Sequence, residues 1–168
     1  MILRPYKSID AKVIIKWLND EETFIKWGGD YFGFYPINEE IINNKYFNQN
    51  GDCIESDNFY PLVFVDDNRV VGHFIIRYLN NNPKILRFGW VIVDNTIRSK
   101  GYGTKMLKLG LKYAFEILSA NKVTIGVFEN NLPGYYCYKK VGFKEVKTVN
   151  SIPFNIIEME IFKEDYLK

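Results

Sequence analysis

Residues 91–104 read Val91-Ile92-Val93-Asp94-Asn95-Thr96-Ile97-Arg98-Ser99-Lys100-Gly101-Tyr102-Gly103-Thr104. An apolar strand runs into a short polar loop, and two glycines open the clearest helical pattern in the chain, Gly103 to Ser119. Leu107, Leu111, Ala114, Phe115 and Leu118 form its apolar stripe, while Lys105, Lys108 and Lys112 lie off it as a solvated face. A helix begins with backbone N–H groups that have no partner inside it, and its dipole puts partial positive charge at the same end. Such a start after a glycine loop suits phosphate. Gly101 and Gly103 let the backbone come close, Arg98 and Lys100 add full charges, Tyr102 and Thr104 contribute chiefly main chain, and Ser99 belongs to the same loop.

Two better-known phosphate loops do not fit. A Walker loop needs Gly-Lys-Ser/Thr, whereas the order here is Gly103-Thr104-Lys105. A dinucleotide fingerprint needs a third glycine, where this chain has Met106. What remains is Arg98-x-x-Gly101-x-Gly103 after a strand. A second segment follows one helix and one strand later: Val127 and Phe128 end a strand, then come Asn131-x-x-Gly134 and Tyr138-x-x-x-Gly142-Phe143.

Together the two segments resemble the signatures of the GNAT superfamily of acyl-coenzyme A dependent N-acetyltransferases, and the element order extends the resemblance over almost the whole chain. The resemblance implies an α/β (α+β) fold: a single mixed, mostly antiparallel twisted sheet with a central splay, flanked by about four to five helices. It implies acetyl-coenzyme A as co-substrate, with the diphosphate on residues 98–104. It implies main-chain contacts from Val91 and Val93 to the pantetheine arm. An oxyanion donor is expected at a backbone N–H near Ile92 or Val93, freed by a bulge. Tyr138 matches the family's general acid, and Asn131, a natural helix cap, can also touch the cofactor.

The general base is not carried over, because Ile85 to Val93 holds no carboxylate. Asp94, Glu129 or a water on polar backbone are the candidates. His73 has a suitable pKa range, although a satisfied sheet histidine is the weightier reading.

The rest of the chain agrees with this frame. Ile2 to Arg4 reads as a strand, and Ser8 or Asp10 is placed to cap a helix carrying Val13, Ile14, Trp17 and Leu18. Asp20 to Lys26 forms a second helix, and Asn38 caps a third that reaches about Phe47. The aromatic run from Asp30 to Pro36 is a hydrophobic plug, with a substrate wall as the other reading. Asn48 to Asn58 is a loop. Phe59 to Val65 and Arg69 to Tyr78 make a hairpin, Lys84 to Asp94 the next strand, Lys122 to Phe128 a buried one, and residues 143–149 and 154–162 a closing pair.

A chain of 168 residues suits one domain, 1–168, without repeat or linker. With 22 basic and 20 acidic residues its net charge is +2, too small to point to nucleic acid or an acidic membrane. No apolar run has the length of a membrane span and Met1 to Tyr6 lacks signal-peptide character, so a cytoplasmic protein is expected. Cys53 and Cys137 suggest no disulfide, and the single histidine argues against zinc.

For the acceptor, Leu3-Arg4-Pro5-Tyr6 and Tyr35-Pro36-Ile37 look most like the Rim-type branch, which acts on protein N-termini or small amines. An aminoglycoside or polyamine acetyltransferase is the alternative, with Asp52, Glu55 and Asp57 as an acidic entrance. A non-catalytic acetyl-coenzyme A binding module is the third reading. The expected partner is an amine-bearing small molecule or a protein N-terminus, with no nucleic acid and no membrane, for a monomer or homodimer.

Overall fold

The structure is a computed structural model that describes residues 1–49 and 57–168. Its strands are β1 (Ile2–Pro5), β2 (Phe59–Asp66), β3 (Arg69–Leu79), β4 (Asn82–Val93), β5 (Lys122–Phe128), β6 (Lys144–Val149) and β7 (Ile156–Phe162). They lie in the order β1-β2-β3-β4-β5-β7-β6, antiparallel throughout except where β4 meets β5. That parallel pairing runs only from Ile85–Lys122 to Phe88–Ile125. Beyond it the two strands part, which is the expected splay.

The helices are α1 (Ala11–Trp17), α2 (Glu21–Trp27), α3 (Glu39–Asn48), α4 (Tyr102–Lys112), α5 (Leu132–Val141) and α6 (Lys163–Tyr166). The sixth, a single turn, exceeds the four to five expected. Met106, Leu107 and Leu111 of α4 and Tyr138 and Val141 of α5 bury against one sheet face, with Phe74, Phe88 and Ile125. Ile14, Trp17, Phe24, Trp27 and Ile42 from α1, α2 and α3 bury against the other, with Ile75 and Ile92.

Two local results differ from the sequence reading. Asp10 does not cap α1; its carboxylate accepts from the Lys7 amide at 2.7 Å and from the two terminal guanidinium nitrogens of Arg4 at 2.8 Å, tying β1 to the first turn. The long helix does not run regularly to Ser119. It passes from α4 into a π-turn over Tyr113–Ile117, closed by the Leu118 amide on the Tyr113 carbonyl at 3.0 Å. Ala114 and Phe115 lie within this turn and are both buried.

Strand β4 holds the feature on which the site depends. His73 pairs with Ile92 but Ile75 pairs with Gly89, so one residue is inserted around Trp90 and Val91. The insertion reverses the strand's faces. Leu86 and Phe88 point to the α4–α5 side, whereas after the bulge Val91 and Val93 do so, and Ile92 turns to the α1–α3 side.

Candidate active site

The loop in which the sequence places an anion cradle turns through Gly101 into α4. Gly101 precedes α4 with φ +80°, a left-handed conformation that other residues resist, and a Cβ there would meet nothing within 4 Å. Gly103 answers a different need, since its Cβ would come within 3.2 Å of the Cys137 sulfur on α5. Ser99 also has a positive φ of 64°. Arg98, Ser99 and Lys100 are exposed. Tyr102 turns its hydroxyl away to donate to Asp66 at 2.8 Å, leaving its main chain at the helix start. Thr104 lies 3.7 Å from the Cys137 sulfur through its hydroxyl.

Among the described residues α1, α4 and α6 begin without a side-chain cap, and of these α4 is the one that follows a glycine turn. Asp20, Asn38 and Asn131 cap α2, α3 and α5 by accepting the amides of Thr23, Ile41 and Gly134, whereas among the described residues no side chain caps the start of α4. Those donors are available to a ligand's phosphate oxygens.

Next to this start the β5-facing edge of β4 from Gly89 to Val93 has no strand partner. A pantetheine arm, with its two amides, could add there like a strand. Val91 lines the gap between the strands, while Val93 pairs with Gly72 on its other side and packs near Gly103. The bulge expected near Ile92 or Val93 sits earlier, at Trp90 and Val91. Ile92 is held in register with His73, so the backbone released from the β3 ladder is that of Trp90 and Val91.

The gap opens into a cavity of about 350 Å3 that reaches from Tyr138 on α5 to Trp27, Gly28 and Tyr31 beside α2. Trp90 forms much of its wall with φ +47°, which is rare for so large a side chain. An aromatic box holds it there: Tyr46 stacks on it at 5.7 Å, Phe32 meets it edge-on at 4.8 Å, and the Trp27 indole N–H donates to its carbonyl at 2.8 Å. The aromatic run therefore divides, with Phe32 buried as plug, Tyr31 on the cavity wall, and Phe34 94% exposed. Sequence reasoning missed Trp27 and Trp90, whose only signal was the general excess of aromatics.

Tyr138 is 7% exposed and faces the cavity. Burial raises its pKa, the neighbouring Cys137 adds to this, and Arg87 opposes it. The phenol therefore stays protonated around neutral pH, as a proton donor must. Gly142, with φ +117°, ends α5 one turn later, and its amide donates to the Tyr138 carbonyl at 3.2 Å. Asn131 begins the same helix and lines the cavity, so cap and cavity wall coincide. Gly134 is required by that cap, because a Cβ would lie 2.9 Å from the Asn131 amide nitrogen.

Arg87, also missed from sequence, reaches across β5 to hold Glu158 on β7 through two bonds of 2.7 and 3.0 Å. It passes over Gly126, where a Cβ would stand 2.6 Å from its guanidinium.

The base candidates are otherwise engaged. Asp94 accepts the Thr96 amide and hydroxyl at 2.9 and 2.7 Å, and Glu129 is exposed against Asn155. His73 is fully buried and its Nδ1 lies 2.8 Å from the Leu62 carbonyl. A carbonyl can only accept, so Nδ1 carries the proton and Nε2 accepts from the Tyr46 hydroxyl at 2.5 Å. Burial lowers its pKa to about 4 against the pull of that carbonyl, and it is a neutral sheet histidine. Asp52, Glu55 and Cys53 lie outside the described residues. Among the described residues no group of metal-binding side chains is present, and no helix is long and apolar enough to cross a membrane.

Residues 1–144 match a family model described as an acetyltransferase (GNAT) domain. An N-alpha-acetyltransferase of Sulfurisphaera tokodaii is 34% identical over 92 residues, a match spanning 49% of this chain and 55% of that protein. An N-acetyltransferase 9-like protein of Caenorhabditis briggsae is 25% identical over 95% of this chain and 81% of its own length. Among solved structures, a Vibrio cholerae spermidine N-acetyltransferase in complex with CoA and spermine superposes with a TM-score of 0.79 at 19% identity, covering 99% of this chain and 98% of the other. An aminoglycoside acetyltransferase in complex with coenzyme A gives 0.77 at 18% identity, over 98% and 96%. At such identities the superpositions speak for the fold, and the family model, matching most of the chain, speaks for kinship. This chain belongs to the GNAT family of acetyltransferases.

Proposed function

We propose that this chain moves an acetyl group from acetyl-coenzyme A to the primary amine of a small molecule, by direct attack with both substrates bound. The observation that carries the reading is the uncapped start of α4, placed beside an unpaired strand edge that leads to a proton-donating phenol. Residues 98–104 would hold the diphosphate and Val91 the arm. Asn131 would add a contact at the start of α5. Val93 contributes backbone next to the cradle.

The amine attacks the thioester carbon, and the C–S bond breaks as the N–C bond forms. Tyr138 gives its phenolic proton to the departing sulfur; burial keeps that proton on the phenol until charge develops on the sulfur. The backbone N–H groups around Trp90 and Val91, at the break in the β3 ladder, would serve the developing oxyanion. No Asp or Glu lines the cavity among the described residues. The amine therefore enters as its free base, the proton it loses on forming the amide goes to solvent, and solvent returns a proton to Tyr138.

A cavity of this size suits a small acceptor, and spermidine and aminoglycoside acetyltransferases are among the proteins of like fold. A protein N-terminus is the second reading, favoured by the N-alpha-acetyltransferase relative. Thiol release from acetyl-coenzyme A, measured against small amines and against peptides with a free N-terminus, separates the two. Turnover confined to peptides would reverse the order. Protection by acetyl-coenzyme A with no thiol release from any amine would leave only a binding module.

A further inference from the structure

The cavity running from Tyr138 towards α2 and α3 has an unusual charge balance. Lys26, Lys45, Arg77 and Arg87 line it, and no carboxylate does so among the described residues. Lys26 is paired with Glu22 at 2.5 Å and Arg87 with Glu158, but both carboxylates stand outside the lining. Lys45 makes no ion pair among the described residues. The cations are not needed for the coenzyme's diphosphate, because none of residues 98–104 lines this cavity.

A wall of this kind repels a second ammonium and attracts an anion. Trp27, Tyr31 and Trp90 line the same cavity and suit the apolar body of an acceptor. We infer that the acceptor carries an anionic group, a carboxylate or a phosphate, within a few bonds of its primary amine, and that Lys26 and Lys45 select it. This rests on reading the cavity as the acceptor site of an acetyltransferase.

Matched pairs test the inference by thiol release. Glucosamine against glucosamine 6-phosphate forms the phosphate arm, phenylalaninamide against phenylalanine the carboxylate arm, and spermidine serves as the polycation. In at least one arm the anionic member should show kcat/KM at least about tenfold above its partner, and the leading arm names the anion. Lys45→Gln should reduce that excess to about threefold or less. In the unaltered chain the excess should also shrink as salt rises to about 0.5 M, which keeps the test independent of how the variant folds.

A preference for spermidine or for the uncharged members overturns the inference and leaves the acetyltransferase reading standing. So does a preference that neither salt nor Lys45→Gln alters. Binding of acetyl-coenzyme A with no thiol release from any acceptor fells that reading first, and this inference with it.

Discussion

At the scale of single residues the proposed chemistry depends on Tyr138 and the fold's pH response on His73. Removing the phenolic oxygen in Tyr138→Phe leaves the ring that packs near Phe143, so the helix should persist. Turnover should drop by about a hundredfold or more while protection by acetyl-coenzyme A changes little. Unchanged turnover in a thiol-release assay would assign the proton to another donor. His73 is held neutral by burial, with its pKa at about 4 in place of 6.5. Between those values the unfolded chain binds a proton that the folded chain does not. The stability is therefore fully present above pH 6.5 and is lost as pH falls towards 4. The full loss from this group is on the order of 3 kcal/mol. Denaturant titrations from pH 7 to pH 4 should show it. In Tyr46→Phe the ring nitrogen loses its donor, so stability at pH 7 should fall by about 1–3 kcal/mol.

At the scale of elements, caps decide which helix ends are closed and which are open. The cap on α5 can be tested by its coupling to Gly134. Alone, Gly134→Ala should destabilise, because its methyl would press on the Asn131 side chain. In an Asn131→Ala background, where the cap is already lost at a cost of about 0.5–2 kcal/mol, the same change should stabilise, since alanine favours helix over glycine by up to about 1 kcal/mol. A double-mutant cycle by chemical denaturation gives the sign, and equal effects in both backgrounds would refute the account.

The elements also show what could be read from the chain beforehand. Gly101, Gly103, Asn131 and Gly142 were legible because each demand on them is local: a positive φ, a close approach or a cap. The strands were legible from their alternation. The bulge at Trp90 was misplaced by one or two residues because its position follows from the pairing of β3 with β4, and Trp90 and Val91 look like ordinary strand residues. Arg87 was invisible for a related reason. Its partner Glu158 lies 71 positions away, and the two meet only because β7 inserts between β5 and β6. The π-turn likewise belongs to packing, since the helical stripe ran through it unbroken in sequence.

At the scale of the whole molecule, the coenzyme should bind across elements that are otherwise weakly joined. The start of α4, the open edge of β4 and the start of α5 come together where β4 and β5 part, and no strand pairing closes that gap beyond Phe88 and Ile125. A ligand bridging them stabilises the folded state by about 2.7 kcal/mol at a hundred times its Kd. For a chain of 168 residues that corresponds to a rise of roughly 5–10 °C in Tm. The distribution of that gain separates cradle from rail. Pantetheine alone reaches the strand edge but carries no diphosphate, so at equal concentration it should protect far less than coenzyme A. Arg98→Ala should cut the protection by coenzyme A while leaving the weak effect of pantetheine unchanged. Equal protection by both ligands, measured by calorimetry on the unaltered chain, would mean that the amides at the start of α4 do not hold the diphosphate. The fold would then keep its family and lose its proposed reaction.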